Sequence, residues 1–208
     1  YIIILIYFYN IMAKLLKIHT NRGTGAGGAN TNKSGLHFEK ITSLDSEYDK
    51  LKIVPDNNKS LQTVFFKDYN VTPFLRPSKT YFRKFMETSN KCNKDIPLAE
   101  GAKQPDEVYI FETQTNKSQK YIFWIEKKNQ KCNGSVCEKI QTGASKRKNL
   151  QLRYPKYKVY YIYVLSSYFK KHKWEISECK ENNIPIFWGD EKDYKQNIIK
   201  FMHDELKE

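Results

Sequence analysis

Two apolar runs separated by a polar turn dominate the hydrophobic pattern of this chain. Glu107–Glu112 and Lys120–Lys128 predict a β-hairpin closed over Thr113–Gln119. Tyr121–Ile125 is apolar at every position, the pattern of a central strand buried on both faces. Lys156–Leu165 (KYKVYYIYVL), rich in Val, Ile and Tyr, predicts a further buried strand. IPIFWG, ending at Gly189, predicts another. Asp190 then opens an amphipathic helix with Tyr194, Ile198, Phe201 and Met202 on its apolar side.

Upstream, the spacing of Leu36, Ile41 and Leu44 predicts a helix starting near Asn32 or Ser34, with Glu39 on a flanking face. A short strand at Leu15–His19 and a glycine-rich loop at Arg22–Asn32 precede it. LQTVFFKDY, from Leu61, reads as a strand, and the basic segment Pro77–Met86 reads as a helix. Residues 55–60 are a loop by composition, and Lys91–Lys103 is a connector. Gly134-Ser135 caps a helix carrying Val136, Lys139 and Ile140, and a basic turn-helix follows at Lys146–Arg153. Helices alternating with a hairpin and further strands predict an α/β layered domain around a mixed sheet.

The apolar leader YIIILIYFYNI (residues 1–11) is shorter than the roughly 20 residues a bilayer span needs, and it lacks a basic start and a cleavage motif. Met12 follows it directly, so residues 12–208 are expected to form one domain, with 1–11 an upstream-translated extension. An intracellular, non-secreted protein with no membrane partner is the expectation. Four cysteines (Cys92, Cys132, Cys137, Cys179) fit reduced thiols there. Cys132 and Cys137 have a spacing zinc could use, but no second close pair completes a set.

The net charge of +13 points to a polyanionic partner. Only five of the 36 basic residues are arginine (Arg22, Arg76, Arg83, Arg147, Arg153). The chain is also rich in the Asn, Ile, Tyr and Phe that A/T-rich codons specify, so the charge is supporting evidence only. Gly23, Gly25 and Gly28 match G-x-G-x-x-G, but the helix starts after the motif and no βαβ unit follows, so a loop is the better reading.

The chemistry lies in QPDEVYIFETQTNKSQKYIFWIEKK, Gln104–Lys128. Asp106 stands at the mouth of the first hairpin strand. Glu126 and Lys128 share a face of the second, because side chains alternate along a strand. Two carboxylates suit a hard divalent cation, and a nearby ammonium suits phosphate charge or an attacking water. That combination is the chemistry of phosphodiester hydrolysis. Glu107 and Glu112 remain alternative acids, Glu107 on the opposite strand face from Asp106 and Glu112 at the far strand end.

Pro105-Asp106 followed by Glu126-Lys127-Lys128 resembles the PD-(D/E)xK nuclease superfamily, and the wider context is similar to type II restriction endonucleases. GGANTNKSGLHFE (Gly27–Glu39), GAKQPDE, KKNQKCNGSVCEKIQTG and IPIFWGDE carry that likeness in order along the chain. The resemblance implies a restriction-endonuclease-like three-layer domain, a central mixed β-sheet flanked by helices. It implies that Asp106, Glu126 and the main-chain carbonyl of Lys127 bind Mg²⁺, that Lys128 positions or activates water, and that Glu39 supports the metal. Gln130 and Glu138 are less secure neighbours. Double-stranded DNA is the implied substrate, contacted by Asn30, Asn32, Lys33, Lys146, Arg147, Lys148 and Arg153, with the Pro77–Lys84 segment a further basic surface. A homodimer and a companion DNA methyltransferase acting on the same site are the implied partners. A repair, resolvase-like or mobile-element nuclease of the same fold, or a non-catalytic DNA-binding module, are the alternatives.

Overall fold

Because Tyr121–Ile125 is apolar throughout, its strand needs cover on both faces, and the computed structural model supplies it. Residues 28–49, 60–99, 102–112, 119–131 and 136–207 are described. The leader, the Leu15–His19 strand, most of the glycine-rich loop, residues 113–118 of the hairpin turn and the Gly134-Ser135 cap lie outside them. The chain clusters into two compact units, Tyr1–Leu36 and His37–Glu208. Of the first, only residues 28–36 are described, as part of α1 (Gly28–Ile41).

The second unit holds a seven-stranded mixed sheet whose spatial order follows the chain: β1 (Tyr48–Asp49), β2 (Leu61–Phe66), β3 (Tyr69–Pro77), β4 (Glu107–Phe111), β5 (Lys120–Lys128), β6 (Tyr157–Leu165) and β7 (Ile186–Trp188). β1 to β5 are antiparallel neighbours. β5, β6 and β7 run parallel, with Glu126 beside Tyr163 and Lys128 beside Leu165. The helices are α2 (Phe82–Thr88), α3 (Val136–Gln141), α4 (Gly143–Arg153), α5 (Lys173–Glu181) and α6 (Tyr194–Glu205).

Helices cover both faces of the sheet. Ile122 and Trp124 of β5 and Tyr161 and Tyr163 of β6 pack with Phe82, Ile140, Leu150 and Cys179 from α2, α3, α4 and α5. Phe123 and Ile125 face the other way, toward Phe38 of α1 and Ile198 and Met202 of α6. Two glycines allow close helix–sheet approach. A Cβ on Gly189 would lie 2.7 Å from the Phe38 ring, and one on Gly143 would lie 2.9 Å from the Tyr163 ring. Among the described residues no helix is long and apolar enough to cross a membrane.

Several expectations are corrected. β3 falls where the hydrophobic pattern predicts no strand, over a segment that carries Pro73 and Pro77. Pro73 lies in the irregular stretch between Tyr69, paired with Phe66, and Phe74, paired with Val64, where its missing N–H is tolerated. α2 starts at Phe82 rather than Pro77, and α5 has no counterpart among the predicted elements. Leu36 and Ile41 are 61% and 52% exposed; the face of α1 turned to the sheet carries Phe38 and Thr42 instead. Asp190 opens no helix: its carboxylate accepts from the Ser167 N–H and hydroxyl, and α6 begins at Tyr194.

His203 of α6 is buried, stacked on Tyr69 at 3.8 Å between ring centroids and edge-on to Phe74. Burial, with Lys207 adding and Asp204 opposing, pushes its pKa down to about 4. The unfolded chain therefore takes up this proton near pH 6.5 and the folded chain only near 4. The stabilising contribution is full above pH 6.5 and is lost as pH falls from 6.5 through 4. Comparing melting temperatures of wild type and His203→Phe at roughly pH 7.5 and 4.5 checks this. The variant should lose less stability than wild type on acidification; equal losses would refute the assignment.

Candidate functional site

The antiparallel register of β4 and β5, with Glu107 opposite Ile125, brings Asp106 to the end of β5. Its Oδ2 accepts the Lys127 backbone N–H at 2.7 Å. Lys128 Nζ donates to Glu126 Oε1 at 2.5 Å and lies 3.8 Å from Asp106 Oδ2. Strand alternation puts Glu126 and Lys128 on the face of Trp124, and the Glu126 side chain is only 7% exposed. Asp106, Glu126 and Lys128 thus form one partly buried cluster at adjoining strand ends.

The intervening residue does something else. Lys127 points to the opposite face, where its Nζ meets Glu107 Oε2 at 2.6 Å with side chains 2% and 3% exposed. Glu107 Oε1 accepts the Leu44 N–H and the Tyr109 hydroxyl, and Lys127 Nζ also donates to the Glu39 carbonyl at 3.2 Å. These contacts separate the two acids: Glu107 is saturated in an interior ion pair, and Asp106 faces Lys128. Glu112 is held at the far end by Lys91 and the Tyr157 hydroxyl.

Burial, and then the charge of Glu126, push the Asp106 carboxyl up to about 6, while Lys128 and the Lys127 N–H oppose the rise. For Lys128, burial works against the ammonium, but Glu126 and Asp106 outweigh it and hold its pKa above the ordinary lysine value. Glu39 adds negative charge felt by both groups, and its own carboxylate pairs with Lys79 at 3.3 Å. The pair of carboxylates repel one another and are bridged by an ammonium, a donor set that a divalent cation would fit. Among the described residues no group of three or more His, Cys, Asp or Glu side chains could hold a metal ion. A cation here would take two carboxylates and complete its shell with water and phosphate oxygens, as Mg²⁺ commonly does.

The basic residues expected to face DNA separate. Lys33 is exposed, and Lys148 is exposed beside Arg147 on a cleft of about 430 Å³. Arg147 donates to the Asn182 carbonyl at 3.2 Å. The side chains of Asn30 and Asn32 lie outside the described residues. Arg153 requires a correction. It is buried, donating to the Asn93 and Ile96 carbonyls and to Glu87, so its guanidinium ties α4 to α2 and the connector rather than facing outward. Lys146 is also buried, and burial is the main reason its pKa lies below the ordinary lysine value. In the Pro77–Lys84 segment, Lys79 pairs with Glu39 and Arg83 with Glu87. Gln130 is buried with its backbone bonded to Ser166, and Glu138 is exposed on α3. Cys92 and Cys179 are free thiols, while the side chains of Cys132 and Cys137 lie outside the described residues.

Tyr163, beside Glu126 in the parallel β5–β6 register, is a neighbour that the sequence pattern does not place. The pattern of 156–165 marks a buried strand but carries no sign of which strand it joins. No protein-family model matches this chain, and no curated protein and no solved structure matches it.

Proposed function

We propose that this protein is a Mg²⁺-dependent deoxyribonuclease of the PD-(D/E)xK type, with a restriction-endonuclease-like arrangement of its layers. The observation that carries the reading is the cluster itself: Asp106, Glu126 and Lys128 meet at one end of β4 and β5 while Lys127 is locked on the other face by Glu107. Asp106 and Glu126 would hold the cation, with the Lys127 carbonyl as the implied third ligand. When bound, Mg²⁺ supplies positive charge to the phosphate and lowers the pKa of its water. The Lys127 N–H fixes the orientation of Asp106. Lys128, released from Glu126 when a cation takes the carboxylates, can meet a phosphate oxygen or orient water. Glu39 supports the positive charge gathered there.

Within this reading the protein cuts double-stranded DNA at a fixed sequence, acts as a homodimer on a two-fold target, and works beside a methyltransferase that protects the same site. The test is plasmid DNA with the full chain, Mg²⁺ and an EDTA control. Discrete fragments with Mg²⁺ and none with EDTA are expected. Nicking confined to branched or damaged DNA would replace restriction by repair, and an intact plasmid at every Mg²⁺ concentration would end the nuclease reading. Duplex affinity should fall steeply between roughly 50 and 200 mM salt. A flat response would mean that the lysine excess is compositional.

The acidity of the site gives a further expectation. Protons compete with the cation for Asp106, whose pKa is about 6. The Mg²⁺ concentration for half-maximal cleavage should rise up to tenfold for each pH unit below about 6. A Mg²⁺ requirement unchanged between roughly pH 7.5 and 5 would remove Asp106 from the ligand set.

A further inference from the structure

A cleft of about 680 Å³ opens between α2, the connector and the end of α4. Sites that hold ligands commonly measure roughly 300–1,000 Å³. Among the described residues that line it, Arg83, Lys94, Lys103 and Arg153 meet a single carboxylate, Glu87. Bonding to Arg83 holds the Glu87 pKa below its ordinary value, so that carboxylate is ionised and positive charge is still in excess. Arg83, Lys94 and Lys103 are exposed, whereas Arg153 is buried.

The cleft is built rather than incidental. Arg153 donates to the Asn93 and Ile96 carbonyls, one on either side of Lys94. The Asn149 side chain donates to the Pro97 carbonyl and accepts the Ala99 N–H. The connector is thus tied to α4 at several points, and its cations are fixed beside those of α2. A concave surface lined by one sign of charge concentrates counter-charged ligands.

Its place in the fold says which anion. Phe82, at the start of α2, packs edge-on against Trp124 at 5.5 Å, so α2 covers the sheet face that carries Glu126 and Lys128. Lys103 precedes Asp106 by three residues, which keeps their backbones within about 11 Å. One DNA strand advances about 3.4 Å per nucleotide along the helix axis, so a strand held at the cluster comes level with Lys103 within roughly three nucleotides.

We propose that this cleft is a phosphate-binding track for the DNA backbone beside the cut, contacted by Arg83, Lys94 and Lys103. DNA as the occupant rests on the nuclease reading.

The test measures duplex affinity in EDTA as a function of salt, with full chains and a duplex of about 20 base pairs. Wild type is compared with Arg83→Gln/Lys94→Gln and with Lys200→Gln/Lys207→Gln. The second pair removes the same two charges from exposed positions on and just beyond α6, the helix on the other sheet face. Each lost phosphate contact lowers the slope of log affinity against log salt by about 0.9, so the cleft variant should fall by about 1.8 and the α6 variant should keep the wild-type slope. If the cleft variant does not fold, Lys94→Gln alone decides, with an expected fall of about 0.9. Equal slopes in wild type and the cleft variant overturn the proposal, as does an equal fall in both double variants. A melting-temperature rise with adenosine monophosphate that is lost in the cleft variant, at unchanged duplex slope, overturns it in favour of a small-nucleotide site. Should wild type bind DNA through the cleft and cut none with Mg²⁺, the nuclease reading fails and the track stands. Should wild type cut DNA while the slopes agree, the track alone is lost.

Discussion

Asp106→Asn should abolish Mg²⁺-dependent cleavage, by roughly 10³-fold or more, and at the same time raise the melting temperature at neutral pH. The loss follows because the substitution removes one of the two carboxylates that would hold the cation. The gain follows from the same geometry. The folded protein holds the Asp106 carboxyl at about 6, above its ordinary 3.8, because burial and Glu126 disfavour its charge. A carboxyl whose folded pKa is raised stabilises the fold only while protonated, so at neutral pH its ionised form works against folding. An asparagine keeps an acceptor for the Lys127 N–H and removes the repulsion, worth on the order of 1–3 kcal/mol in the metal-free protein. Plasmid cleavage assays and thermal melts in EDTA read the two effects separately. Activity within tenfold of wild type would take Asp106 out of the chemistry, and a lower melting temperature would contradict the electrostatic account.

Lys127→Met should do the opposite, unfolding the protein or destabilising it by about 3–5 kcal/mol, although it lies next to Lys128. Glu107 and Lys127 are 3% and 2% exposed, and removing the ammonium leaves a carboxylate enclosed among Leu44, Tyr109 and the sheet. For a domain stable by roughly 5–15 kcal/mol that is a large share of the total. Urea titration followed by circular dichroism measures it. The double variant Glu107→Gln/Lys127→Met should recover part of the loss, since no unpaired charge then remains inside. A loss below about 1 kcal/mol for Lys127→Met would show that the pair is not the interior tie its contacts describe.

Much of this contrast is legible in the order of residues. The apolar run Tyr121–Ile125 marks β5 as a central strand, and period-two alternation assigns Glu126 and Lys128 to one face and Lys127 to the other. The buried pattern of Lys156–Leu165 likewise marks β6. The less legible parts depend on contacts distant in sequence. β3 is obscured by Pro73, whose tolerance rests on an irregular pairing with β2. Leu36 and Ile41 have helical spacing, but the face of α1 that packs is centred on Phe38, because Gly189 opens the sheet surface beneath it. The basic cluster at Lys146–Arg153 reads as a single charged surface, yet α4 buries Lys146, ties Arg153 to Glu87 and leaves Lys148 in solvent.

The sequence by itself determined that Glu126 and Lys128 share one face of β5 and Lys127 takes the other, because alternation is a local property of the strand. Only the tertiary structure decided which acid joins them. Asp106 and Glu107 are adjacent in the chain, and their separation arises from the β4–β5 register and from a lysine that claims one of them on the far face. It also decided that Lys146 of α4 is buried while Lys148, two residues on, is exposed. Register and helix seating are set by distant side chains competing for the same space, and that competition leaves no local trace in the order of residues.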